Sequence, residues 1–83
     1  MEKLLIRLSV PAAQKCFDLF LPQDVPIRQV VRSAADGVRD MTNGRYAPSG
    51  REMLIPEGAE APLAPEKHLE QYGIRDGDRL IMI

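Results

Sequence analysis

One segment limits the folds open to this chain. From Ile27 to Met41, the residues Ile27, Val30, Val31, Ala34, Val38 and Met41 recur at helical spacing, while Arg28, Arg32, Asp36, Arg39 and Asp40 take the remaining face. A lone amphipathic helix cannot hide its apolar stripe by itself, so the chain must supply a second layer. The alternating runs on either side supply it. In Lys3 to Val10, the residues Leu4, Ile6, Leu8 and Val10 share one face, and Leu5, Arg7 and Ser9 share the other. After a break at Pro11–Gln14, the run Lys15 to Leu21 alternates again with Phe17, Leu19 and Leu21 on one side, so the two runs read as a hairpin.

A turn at Pro11–Gln14 sets the hairpin register: Leu8 faces Phe17, Arg7 faces Asp18, and Leu5 faces Phe20. Arg7 and Asp18 are then an exposed ion pair worth under about 1 kcal/mol. Asp24 is placed to cap the helix, with Pro26 tolerated in its first turn. Arg32 and Asp36 are spaced to pair across one turn. Gly37 either weakens the helix by about 1 kcal/mol relative to alanine or admits a close approach to the sheet. Asn43-Gly44 stops the helix. Beyond it, Glu52 to Ile55 is a short strand, Leu63 a site for very short pairing, and His68–Tyr72 a helical turn stopped by Gly73. Asp76-Gly77-Asp78 turns into a last strand, Arg79 to Ile83. The expected core sets Leu4, Ile6, Leu8, Phe17, Leu19, Leu21, Leu80 and Met82 against Ile27, Val30, Val31, Ala34 and Val38. Each buried aliphatic side chain contributes about 1.5–3 kcal/mol before entropy is subtracted.

The predicted class is α+β: a mixed sheet packed on one main helix, with residues 1–83 as a single domain. Composition narrows the functions. With 45% apolar and 28% charged residues the chain reads as globular, and a formal net charge of −1 gives no general attraction to nucleic acid. No apolar run is long enough to span a bilayer or act as a secretion signal, so the expected compartment is the cytoplasm. The single cysteine, Cys16, excludes an internal disulfide and a cysteine-based zinc site. It reads as a packing thiol rather than a nucleophile. His68, the single histidine, reads as a capping or solvent-facing residue. The carboxylates Glu57, Glu60, Glu66 and Glu70 are scattered through loops. No catalytic residue, cofactor or metal is expected.

Several stretches carry a resemblance. Phe17-Asp18-Leu19-Phe20-Leu21-Pro22 leading into Ile27-Arg28-Gln29-Val30 resembles the second strand and helix of ubiquitin. The loop Asn43-Gly44-Arg45-Tyr46-Ala47-Pro48-Ser49-Gly50 and the run from Leu69 through Tyr72, Gly73 and Asp76-Gly77-Asp78 to Leu80 are similar to the YukD/EsaB family of bacterial ubiquitin-like proteins. The similarity covers essentially the whole chain. It implies a β-grasp fold and a role as a small cytosolic accessory component of type VII (WXG-type) secretion in Gram-positive bacteria, without conjugation to other proteins. It also implies protein partners among the secretion components, peripheral to a membrane complex. A related domain forms the cytosolic head of a membrane subunit in actinobacterial systems.

The expected interaction surface is the sheet face turned away from the helix. In the implied fold the last strand lies beside the first, so Leu5, Phe20, Ile81 and Ile83 share that face. Large exposed apolar patches mark partner surfaces, here a secretion component or a second copy of the chain as a homodimer. Two other roles fit the same fold. A conjugated modifier or sulfur carrier needs a mobile terminal diglycine, whereas this sequence contains no Gly-Gly and its last residue, Ile83, falls in a strand. An RNA-binding role needs an aromatic and basic strand face, which is missing here. A non-enzymatic interaction module is the favoured reading.

Overall fold

Alternation and turn chemistry build the hairpin first. The structure, a computed structural model, describes residues 2–83. β1 (Lys3–Val10) pairs antiparallel with β2 (Lys15–Pro22) in the expected register, with Leu8 opposite Phe17, Arg7 opposite Asp18 and Leu5 opposite Phe20. A 3₁₀ turn at Pro11–Ala13 followed by Gln14 at φ 55° makes the reversal. Helix α1 (Ile27–Met41) follows, and Thr42 and Asn43 close it by donating to the carbonyls of Val38 and Asp40. β3 (Leu54–Pro56) and β4 (Arg79–Met82) complete a mixed sheet of order β2-β1-β4-β3, in which β1 and β4 are parallel.

The inner faces meet as the pattern requires. Leu4, Ile6, Leu8, Val10, Leu21, Leu54, Leu80 and Met82 from the sheet are buried against Ile27, Val30, Ala34, Ala35 and Val38 of α1. Leu63 and Leu69 enter the same core from the long connection between β3 and β4. Phe17, Leu19 and Val31 are only half-buried, unlike the expectation. Phe17 and Leu19 lie on an edge strand, where one flank has no neighbouring strand to cover them.

Other local expectations change for identifiable reasons. Asp24 does not cap α1. Pro26 occupies the cap position, and the first helical amides, those of Ile27 and Arg28, donate to the carbonyls of Lys67 and Pro65 at 2.8 and 3.0 Å. Two orphan donors are thus satisfied by backbone from a distant loop instead of by a side chain. Asp36 pairs with Arg39 at 3.8 Å rather than with Arg32. β3 begins at Leu54 rather than Glu52, whose carboxylate is drawn into the preceding loop. The regular part of β4 ends at Met82, yet Ile83 remains paired. Its N–H donates to the carbonyl of Met53 at 3.0 Å, and its carbonyl accepts from the Met53 N–H at 2.7 Å. Leu63 pairs as expected, its N–H donating to the carbonyl of Leu54 at 2.8 Å.

Candidate functional site

The outer sheet face is set by strand parity. On it lie Leu5, Arg7 and Ser9 of β1, Cys16, Asp18 and Phe20 of β2, Ile55 of β3, and Arg79 and Ile81 of β4. Helix α1 packs on the opposite face, through buried residues of the core. Phe20 is 67% exposed, Ile83 54% and Leu5 38%, while Ile81 is half-buried.

The register divides these four residues into two pairs. Leu5 is directly opposite Phe20 at one end of the face. Ile81 sits beside Ser9 and opposite Ile55, four residues further along β1 than Leu5, and Ile83 follows beside Met53. A charged row crosses the sheet between the two apolar pairs. Arg7 is paired with Asp18 at 3.3 Å, Arg79 lies beside Arg7 on the parallel strand, and Arg79 faces Glu57 at 3.9 Å. These exposed pairs each contribute less than about 1 kcal/mol, and the like charges of Arg7 and Arg79 offset part of it. The surface therefore offers two apolar areas separated by a polar band. Ile55 and Met53, the latter 44% exposed, extend the area around Ile81 and Ile83. Sequence reasoning missed both, although their alternation with Leu54 carried the same signal as the longer strands.

The turn before β4 fixes that stagger. The Asp76 carboxylate accepts from the Leu5 N–H at 2.8 Å, the Gly77 N–H donates to the Leu5 carbonyl at 2.7 Å, and the Arg7 N–H donates to the Asp78 carbonyl at 3.0 Å. Asp76 thus continues the ladder with a side chain where the backbone turns away. Asp78 closes its own turn by accepting from the Arg75 N–H at 2.9 Å.

A second polar cluster orders the loop between α1 and β3. Glu52 accepts from the Tyr46 hydroxyl at 2.7 Å and from the amides of Ser49 and Gly50 at 2.7 and 3.1 Å. Burial opposes ionisation of Glu52, but these donors outweigh it and hold the carboxyl below its usual range. Burial, then the Glu52 carboxylate, pushes the Tyr46 phenol up to about 12. Such a clasp immobilises a loop and leaves neither group poised for proton transfer at neutral pH. His68 opens the short turn Leu69–Tyr72, and its N–H donates to the Gln71 side chain at 2.7 Å. Cys16 is exposed rather than packed. Among the described residues, no three His, Cys, Asp or Glu side chains stand together as a metal site. No helix among them is long and apolar enough to cross a membrane.

This architecture can be set beside known proteins. The family model of the WXG100 protein secretion system (Wss) protein YukD matches residues 5–82. The chain belongs to the YukD family. Solved structures share the fold. The ubiquitin-like domain of EccD5 from Mycobacterium xenopi superposes with a TM-score of 0.79 at 20% identity, covering 100% of this chain and 94% of that one. The ubiquitin-like domain of the Mycobacterium tuberculosis type VII secretion protein EccD1 gives 0.75 at 18% identity, covering 100% and 99%. Caldiarchaeum subterraneum ubiquitin gives 0.68 at 20% identity, covering 98% and 91%. No curated protein sequence matches the chain. This YukD-family chain therefore has the ubiquitin-like β-grasp fold expected from its sequence.

Proposed function

We infer that this protein is a non-enzymatic docking module of a type VII secretion system, binding another secretion component through its outer sheet face and not conjugated to other proteins. The observation that carries the reading is the exposure of Phe20, Leu5 and Ile83 on a sheet face opposite the only long helix among the described residues. Apolar side chains held on a rigid sheet bind with little backbone ordering cost and lose water on contact. The family supports the secretion context. A structure described as protomer 1 of the ESX-3 core complex contains a similar domain, with a TM-score of 0.66 at 21% identity, and this chain spans 16% of its length. That neighbour's place in a core complex supports docking onto other secretion components, and on this reading the protein works in the cytoplasm, peripheral to the secretion complex.

The test is the double substitution Phe20→Asp with Ile81→Lys, one in each apolar area. The fold should persist by circular dichroism, and capture of secretion components, or self-association measured by light scattering, should be lost. Unchanged capture and unchanged mass would reject the outer face as the docking surface. A conjugate to another protein's lysine, found by mass spectrometry in the native cell, would reject the unconjugated role.

A further inference from the structure

The two edges of the sheet are treated differently. β3 is three residues long, contains Pro56, and has the carbonyl of Leu54 occupied from outside by the Leu63 N–H at 2.8 Å. These are protections that keep an edge from pairing with another chain. β2 is eight residues long, its register with β1 runs unbroken from Lys3–Pro22 to Val10–Lys15, and its one proline lies at the end.

Parity identifies which backbone groups of β2 are open. Leu5 and Arg7 direct their backbone groups toward the β4 side, since the Leu5 carbonyl accepts from Gly77 and the Arg7 N–H donates to Asp78. Directions alternate along a strand, so Leu4, Ile6 and Leu8 bond β2 through Leu21, Leu19 and Phe17. Cys16, Asp18 and Phe20 therefore aim their N–H and carbonyl groups out of the sheet. All three residues are exposed, and no loop or helix among the described residues bonds these backbone groups.

We propose that β2 accepts an extended segment of another protein as a fifth strand, bonded to the backbone of Cys16, Asp18 and Phe20. The side chains beside this edge define the segment. On the outer face it would lie against Phe20. On the inner face it would cover the half-buried Phe17 and Leu19, next to Gly37, which adds no side chain to the helix flank. The segment is thus apolar where it meets Phe17, Leu19 and Phe20, and basic where it faces Asp18 on the outer side. A second copy of β2 fits poorly. In a two-fold antiparallel pairing the outward groups must meet one another, which sets Asp18 against its own copy, or against Cys16, Phe20 or Pro22 of that copy. Each arrangement opposes like charges or a carboxylate to an apolar group. Alternating backbone contacts with apolar pockets on both sides are the requirements of strand addition.

The test uses the full chain, labelled with nitrogen-15, and a short acetylated and amidated peptide whose valine–isoleucine core carries one lysine placed to face Asp18. A twin peptide carries a methyl group on every core backbone nitrogen. The first peptide at millimolar concentration should slow amide exchange of Cys16, Asp18 and Phe20 at least tenfold, and the methylated twin should leave it unchanged. Asp18→Pro removes an outward donor and no β1 bond, as edges tolerate, and should weaken binding at least tenfold with the rest of the spectrum kept. Ile81→Lys should leave peptide binding intact, which separates this edge from the outer-face reading. No protection at these three amides, equal protection by the twin, or shifts confined to Leu5, Ile81 and Ile83 would overturn the proposal. Protection that grows with protein concentration alone would also overturn it, in favour of a second copy.

Discussion

Glu52 shows how much one side chain can organise. It occupies a loop whose other residues are chiefly small or turn-forming, and it gathers one phenol and two amides onto one carboxylate. Its folded-state pKa lies below the unfolded value of about 4.3. Its contribution to stability is therefore whole above that value and is lost as pH falls through the folded-state pKa. Tyr46 works in the opposite direction. Its contribution is whole below about 10 and fades as pH rises toward its folded value of about 12. Glu52→Gln keeps the shape but loses the charge, and should cost about 1–2 kcal/mol at pH 7. Urea titrations at pH 7 and pH 3.5 check this, with the gap between wild type and variant narrowing at the acid end. A gap independent of pH would mean that the carboxylate charge contributes nothing to the clasp.

At the scale of elements, α1 is a helix whose start answers to a different cause from its middle and its end. Its apolar stripe and terminal Asn43-Gly44 follow from local pattern, with Asn43 at φ 54° and Gly44 at φ 82° providing the left-handed stop. Its start follows from the carbonyls of Pro65 and Lys67, which no local signal announces. Gly37, in the interior, has no structural requirement for glycine. A methyl group there would lie 3.8 Å from Leu19 Cδ2, an ordinary van der Waals contact. Gly37→Ala should therefore stabilise the protein by about 0.5–1 kcal/mol through helix propensity. Thermal unfolding should show a midpoint higher by roughly 3–6 °C for a domain of this size. A lower midpoint would mean that the helix must approach β2 more closely than this packing indicates.

At the scale of the whole molecule, the connection between β3 and β4 is part of the cooperative structure, although it contains little regular structure. Leu69 is fully buried in the core, and Leu63 pairs with β3 while its side chain is buried. Leu69→Ala should cost about 2–5 kcal/mol, much of the stability of so small a protein. Chemical denaturation checks this, and a cost below about 1 kcal/mol would show the connection to be a detachable surface loop. The sequence alone determined the hairpin register, the helix and the division into inner and outer faces. Periods of 2.0 and 3.6 residues are properties of the backbone itself, so Leu5 and Phe20 could be assigned to one face from the sequence, whereas setting Ile81 and Ile83 on that face also required the last strand to lie beside the first, which the family resemblance implied. The tertiary structure alone decided that Ile81 stands beside Ser9 rather than Leu5, that a charged row divides the face, and that Pro65 and Lys67 cap the helix. Those outcomes depend on backbone hydrogen bonds between segments far apart in the chain. Every peptide unit carries the same donor and acceptor, so such bonds leave no mark in residue type, and only the closed fold selects which of them form.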